Sequence, residues 1–140
     1  MKKWLKNFKK DQRGLTLVEL LAVVVILAIV AAIAFILIGN VIENSRKDAH
    51  VSNAQQLISA AKLWEASGNQ IKDSGVTYAT LKSDGHLGTI TDPWTKKEYG
   101  ESTSIVTKTG NEYHVKLSGD KCDIDHDESE LIEKGREVCE

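Results

Sequence analysis

The sequence predicts an α+β chain: one long N-terminal helix, membrane-spanning in its first half, packed in its second half on a small antiparallel β-sheet. Three observations carry this. The run from Leu15 to Gly39 holds a single charged residue, Glu19. Apolar residues then recur at three- and four-residue spacing from Ile42 to Trp64. Past residue 100 the period becomes two, with Tyr113, Val115 and Leu117 alternating against Glu112, His114 and Lys116. The 140 residues are 41% hydrophobic and 27% charged, an ordinary average that hides an uneven distribution. It excludes a purely soluble globule, a multi-span transporter and a long disordered chain, and leaves little room for a large catalytic core.

Residues 1–14 form a basic leader. Lys2, Lys3, Lys6, Lys9, Lys10 and Arg13 stand against Asp11 alone. From residue 40 onward the balance reverses, with 12 basic and 18 acidic residues. A basic flank stays on the cytoplasmic side of an apolar span, so the acidic remainder is expected outside the cell membrane, crossed once. An acidic domain grips nucleic acid poorly, because phosphates need clustered Lys and Arg; no direct nucleic-acid binding is expected.

Residues 15–39 form the apolar segment. A helix over them is about 37 Å long, against about 30 Å of hydrocarbon. Three readings compete. Ala32-Ile33-Ala34 has the small-x-small form of a secretory cleavage site, but the apolar run continues through Phe35-Ile36-Leu37-Ile38, where a polar start is expected. A plain signal anchor fits the charge asymmetry but leaves Glu19 unexplained. A carboxylate at the bilayer centre costs about 2.5–3.5 kcal/mol on insertion scales, less near an end, and calls for a partner. No basic residue lies in the run.

The third reading supplies one. The junction Lys10-Asp11-Gln12-Arg13-Gly14-Leu15-Thr16-Leu17-Val18-Glu19 places Gly, an apolar residue and a Glu fifth after the Gly at the end of a basic leader. This resembles the class III signal of the type IV pilins and the type II secretion and competence pseudopilins. The resemblance implies cutting between Gly14 and Leu15 by a prepilin peptidase, and methylation of Leu15 by the same enzyme. It implies assembly of copies of the chain, with other pilins, into a filament, with Glu19 meeting the new α-amino group of a neighbour. It further implies an assembly ATPase, an inner-membrane platform and a pilin-like architecture at the cell surface. Many members carry a Pro near the position of Ile36. Here the only Pro is Pro93, and Gly39 is the softer bend available.

Residues 40–68 continue the helix. Ile42, Ser45, Ala49, Ala54, Leu57, Ile58, Ala61 and Trp64 are expected on one face, with Arg46, Lys47, Asn53, Gln56 and Lys62 opposite, and Gly68-Asn69 as the stop. Residues 69–140 form a small α+β domain. Thr77 is placed to cap a turn through Tyr78, Leu81 and Lys82 that ends at Asp84-Gly85. Asp92-Pro93 favours a turn, with Trp94 plugging the core. Asp92-Pro93-Trp94 resembles a segment of major pseudopilins and is read here as a buried turn without chemistry. Ser104–Lys108 and Glu112–Leu117 make a hairpin through Thr109-Gly110-Asn111, in a sheet of two or three strands.

Cys122 and Cys139 both fall in the exported part, where oxidation is permitted, and are expected to pair. The bridge would close a loop of about 18 residues, worth about 3 kcal/mol. The acidic tail around it is read as a solvated loop. Asp123-x-Asp125-x-Asp127 opens like a calcium loop, but Glu128 and Lys134 stand where position six needs Gly and position twelve a bidentate acid. The family resemblance leaves another calcium cage open, with Asp123, Asp125 and Asp127 as its candidates; no other cofactor or metal is expected. His50, His86, His114 and His126 are scattered, and no nucleophile elbow, phosphate loop or H-E-x-x-H occurs. The expectation is a structural subunit rather than an enzyme. The other class open at this point is a signal-anchored extracellular binding module that never polymerises.

Overall fold

The computed structural model describes residues 2–140, with side chains from Thr16 onward. The order of elements is α1 (Lys2–Ala66), β1 (Val76–Thr77), α2 (Tyr78–Ser83), β2 (Ile105–Thr109), β3 (Glu112–Ser118), β4 (Asp123–Asp127) and α3 (Glu128–Lys134), closed by a 3-10 helix, Gly135–Cys139. Long helix and small antiparallel sheet together give an α+β, pilin-like arrangement. The chain divides into two compact units after Ile42.

The described residues of the first unit are helix alone. Leu, Ile, Val and Ala fill it, none of them a helix breaker, and the helix runs on through Gly39 without a kink-forming Pro. Its large apolar side chains are all exposed, from Leu17 to Ile42. Nothing within the unit covers them.

The second unit, Glu43–Glu140, has one core. Ala54, Leu57, Ile58 and Ala61 of α1 are buried together with Val106 of β2, Val115 and Leu117 of β3, Ile124 of β4 and Leu131 of α3. The sheet order is β1-β2-β3-β4 and every pair is antiparallel. Thr109 lies opposite Glu112, so the hairpin loop is two residues, with Gly110 at φ 63° supplying the left-handed turn. The helix stops as expected: the Gly68 N–H reaches the Glu65 carbonyl and the Asn69 side chain reaches that of Trp64. The Thr77 hydroxyl caps α2 by accepting from the Thr80 N–H.

Three expectations change. The face of α1 that enters the core begins at His50 and Val51, not at Ile42, Ser45 and Ala49, which are exposed. The stripe runs His50, Ala54, Leu57, Ala61, and its first member is polar, so a search for apolar letters starts it from the wrong residues. The acidic tail is β4 and α3 rather than a loop. Asp123, Asp125 and Asp127 face outward opposite Ser118, Lys116 and His114, while Ile124 alone enters the core. Trp94 is half-buried at the edge of the core; the aromatic at its centre is Tyr78.

Candidate functional site

The sequence places its sites in both units. In the first, α1 is long and apolar enough, by length and composition, to cross a membrane. Glu19 lies in its second turn past the junction, exposed among exposed Leu17, Val18 and Leu20. Gly14 and Leu15, where processing is expected, fall in the stretch whose side chains lie outside the described residues. What this stretch presents is an apolar helix face bearing one carboxylate.

In the second unit, Cys122 and Cys139 are joined by a disulfide with Cα atoms 5.1 Å apart. It ties the strand-entry loop before β4 to the terminal 3-10 helix. Asp125 and Asp127 flank His114: Asp125 Oδ1 lies 2.6 Å from its Nε2 and Asp127 Oδ1 lies 2.8 Å from its Nδ1. The imidazole stands between the two carboxylates that a calcium cage would have to share. Among the described residues no group of three such side chains is placed to hold a metal. His126 contacts Glu130 at 2.9 Å.

The His114 clamp has a sign. Partial burial works against its charge, but the hydrogen bonds and charges of Asp125 and Asp127 outweigh burial and raise its pKa. The stability it contributes is therefore fully present below its unfolded value, about 6.5, and is lost as pH rises through the raised folded value. His114→Gln is expected to remove that gain and flatten urea midpoints measured upward from pH 6.5 or so. The pair is exposed enough for solvent to keep the effect small.

Sequence reasoning missed a buried polar core. His50 and Asp92 are buried, and the Tyr99 hydroxyl binds His50 Nδ1 at 2.7 Å while accepting from Asn53 at 3.1 Å. His50 Nε2 has no hydrogen-bond partner among the described residues. Burial pushes His50 down against the pull of Asp92 and pushes Tyr99 up to about 12, so both are neutral at pH 7. Asp92 is charged. Burial opposes this, but N–H groups of Trp94 (2.7 Å), Asp120 (2.6 Å) and Thr95 (3.2 Å) donate to its carboxylate and hold its pKa low.

These bonds tie the segment from Thr91 to Tyr99 onto α1 and onto the loop before β4. Asn53 also reaches the Thr91 carbonyl and Trp94 Nε1 reaches Glu43, at 3.0 and 2.8 Å. A signal was available: His50 lies four residues before Ala54 and seven before Leu57, on the buried stripe. Gly119 is part of the same packing. A Cβ there would lie 2.8 Å from His50 Cε1 and 2.9 Å from the Cys122 carbonyl. Gly119→Ala is expected to cost about 2 kcal/mol by overpacking, read as a lower urea midpoint with unchanged slope.

An apolar helix bearing one carboxylate and a small antiparallel sheet make up an α+β, pilin-like set of elements. Residues 9–35 match the family described as the prokaryotic N-terminal methylation motif, the prepilin-type signal of type IV pilins and pseudopilins. No curated protein and no solved structure matches the chain.

Proposed function

We propose that the chain is a structural subunit of a type IV pilus-like filament or pseudopilus. It is inserted with its N-terminus in the cytoplasm, cut between Gly14 and Leu15, methylated at Leu15 and withdrawn into a polymer through α1. The observation that carries this is the position of Glu19, fifth after the glycine of a matched methylation motif and exposed on an uncovered apolar helix.

The physics is direct. Cutting removes six basic side chains and creates an α-ammonium at Leu15. In hydrocarbon, that cation from one copy and the Glu19 carboxylate of another offset each other's desolvation. Leu and Val contacts slide along a helix with little preference. A single charge pair in low dielectric fixes the axial step. The energy for extension and withdrawal comes from a separate assembly ATPase acting through a membrane platform; the prepilin peptidase is the processing partner. The second unit carries more acidic than basic residues, which disfavours a grip on phosphates, so a role in DNA uptake would fall to the filament rather than to this subunit alone.

Mass spectrometry of the protein from its native membrane is the direct test. The mature chain is expected to begin at Leu15, heavier by one methyl group. A protein that begins at Met1 and stays monomeric would instead be an anchored binding module.

A further inference from the structure

The basic leader is more than a topology signal. α1 begins at Lys2, so the leader is helical in the precursor. At about 100° per residue, Trp4, Leu5 and Phe8 fall within an arc of roughly 100°, and all six basic residues fall within an arc of about 120° opposite. The sequence thus separates an aromatic and aliphatic face from a cationic face over residues 2–13. That is the pattern of a helix lying in a membrane interface, with its rings at the acyl boundary and its cations among lipid phosphates.

From this placement we infer that the leader docks on the anionic cytoplasmic leaflet of the membrane in which residues 15–39 are inserted. Three arguments select this occupant. The cationic arc is complementary to an anionic lipid surface. The apolar arc carries Trp and Phe, the residues that settle at the boundary between hydrocarbon and water. The leader is continuous with a segment long and apolar enough to span, which delivers it to that surface. Straight continuation of the helix axis would lift Trp4 about 16 Å beyond Leu15, past the headgroups, whereas docking turns the axis at Gly14, the poorest helix former of the junction. The precursor is then held twice, by the span and by the leader. Docking keeps the bond between Gly14 and Leu15 at the bilayer surface, and cutting there removes the second hold.

The docking rests on the spanning segment but not on polymerisation, and Trp4 makes it measurable. The uncleaved full chain carrying Trp64→Phe and Trp94→Phe keeps Trp4 as its single indole. It is reconstituted in nanodiscs of phosphatidylcholine, or of phosphatidylcholine with phosphatidylglycerol, containing acyl-brominated lipid. Quenching of Trp4 is expected to be about two-fold stronger in the anionic discs, and to fall to the neutral-lipid level on Lys2→Gln/Lys6→Gln/Lys9→Gln substitution or in high salt. The difference in quenching between the native chain and Trp4→Phe gives the same readout should the doubly substituted domain misfold. A chain that enters the discs with Trp4 equally unquenched in both lipids overturns the docking and leaves the filament proposal standing. A chain that stays out of both discs overturns the docking and the spanning segment together.

Discussion

Glu19→Ala is expected to abolish filament assembly while leaving membrane insertion intact or easier. Removing the carboxylate takes away the cost of a charge in the apolar run, about 2.5–3.5 kcal/mol at the bilayer centre and less near an end, so the span itself is favoured. In the proposed filament, what is lost is the counter-charge for the neighbour's α-ammonium, which would then be buried alone. Breaking a buried pair by deleting one partner typically costs about 3–5 kcal/mol, and the loss recurs at every subunit of a polymer. Glu19→Gln keeps the shape and a hydrogen-bond acceptor but not the charge, so it is expected to assemble poorly as well. Membrane fractionation beside surface shearing reads the two effects separately. Normal filaments from Glu19→Ala would sink the charge-register proposal.

Asp92→Ala is expected to destabilise the second unit by about 3 kcal/mol, because it removes three part-buried, charge-assisted hydrogen bonds at once. The donors belong to Trp94, Thr95 and Asp120, so the turn and the loop before β4 should loosen together. The same carboxylate gives a pH dependence. Its pKa is held below the ordinary carboxylate range, so its contribution is present above about pH 4 and is lost as pH falls through the lower folded value. Acid titration of the urea midpoint should therefore show a step in the native chain that is absent from Asp92→Ala. Equal midpoints for the two chains would contradict the geometry described for this loop.

Local chemistry in this chain was easy to read. The stop at Gly68-Asn69, the Thr77 cap and the Gly110-Asn111 turn each depend on residues within five of one another, and all stand where the sequence puts them. The apolar run and its one acid are also local, and so is the methylation motif. What the sequence hid depends on distant partners. Asp123-Ile124-Asp125-His126-Asp127 alternates as a strand should, yet with one aliphatic among acids it looks like solvated chain. It becomes β4 because Lys116 and His114 on β3 lie opposite the acids and Ile124 finds the core. In sequence, His50 is one of four scattered histidines. Only folding brings Tyr99 to it, from 49 positions away. Asp92 read as a turn former, and its grip on the Asp120 amide spans 28 positions.

Two of the four imidazoles of the second unit, His50 and His114, pull against opposite ends of the pH scale. His50 stays neutral when folded, so acid below about 6.5 rewards the unfolded chain; His114 holds its proton when folded, so alkali above that value erodes the native one. Their windows meet without overlapping. The share of stability that these side chains govern therefore has its crest at mildly acid pH and declines on both flanks, so a modest drift in either direction loosens the same small domain.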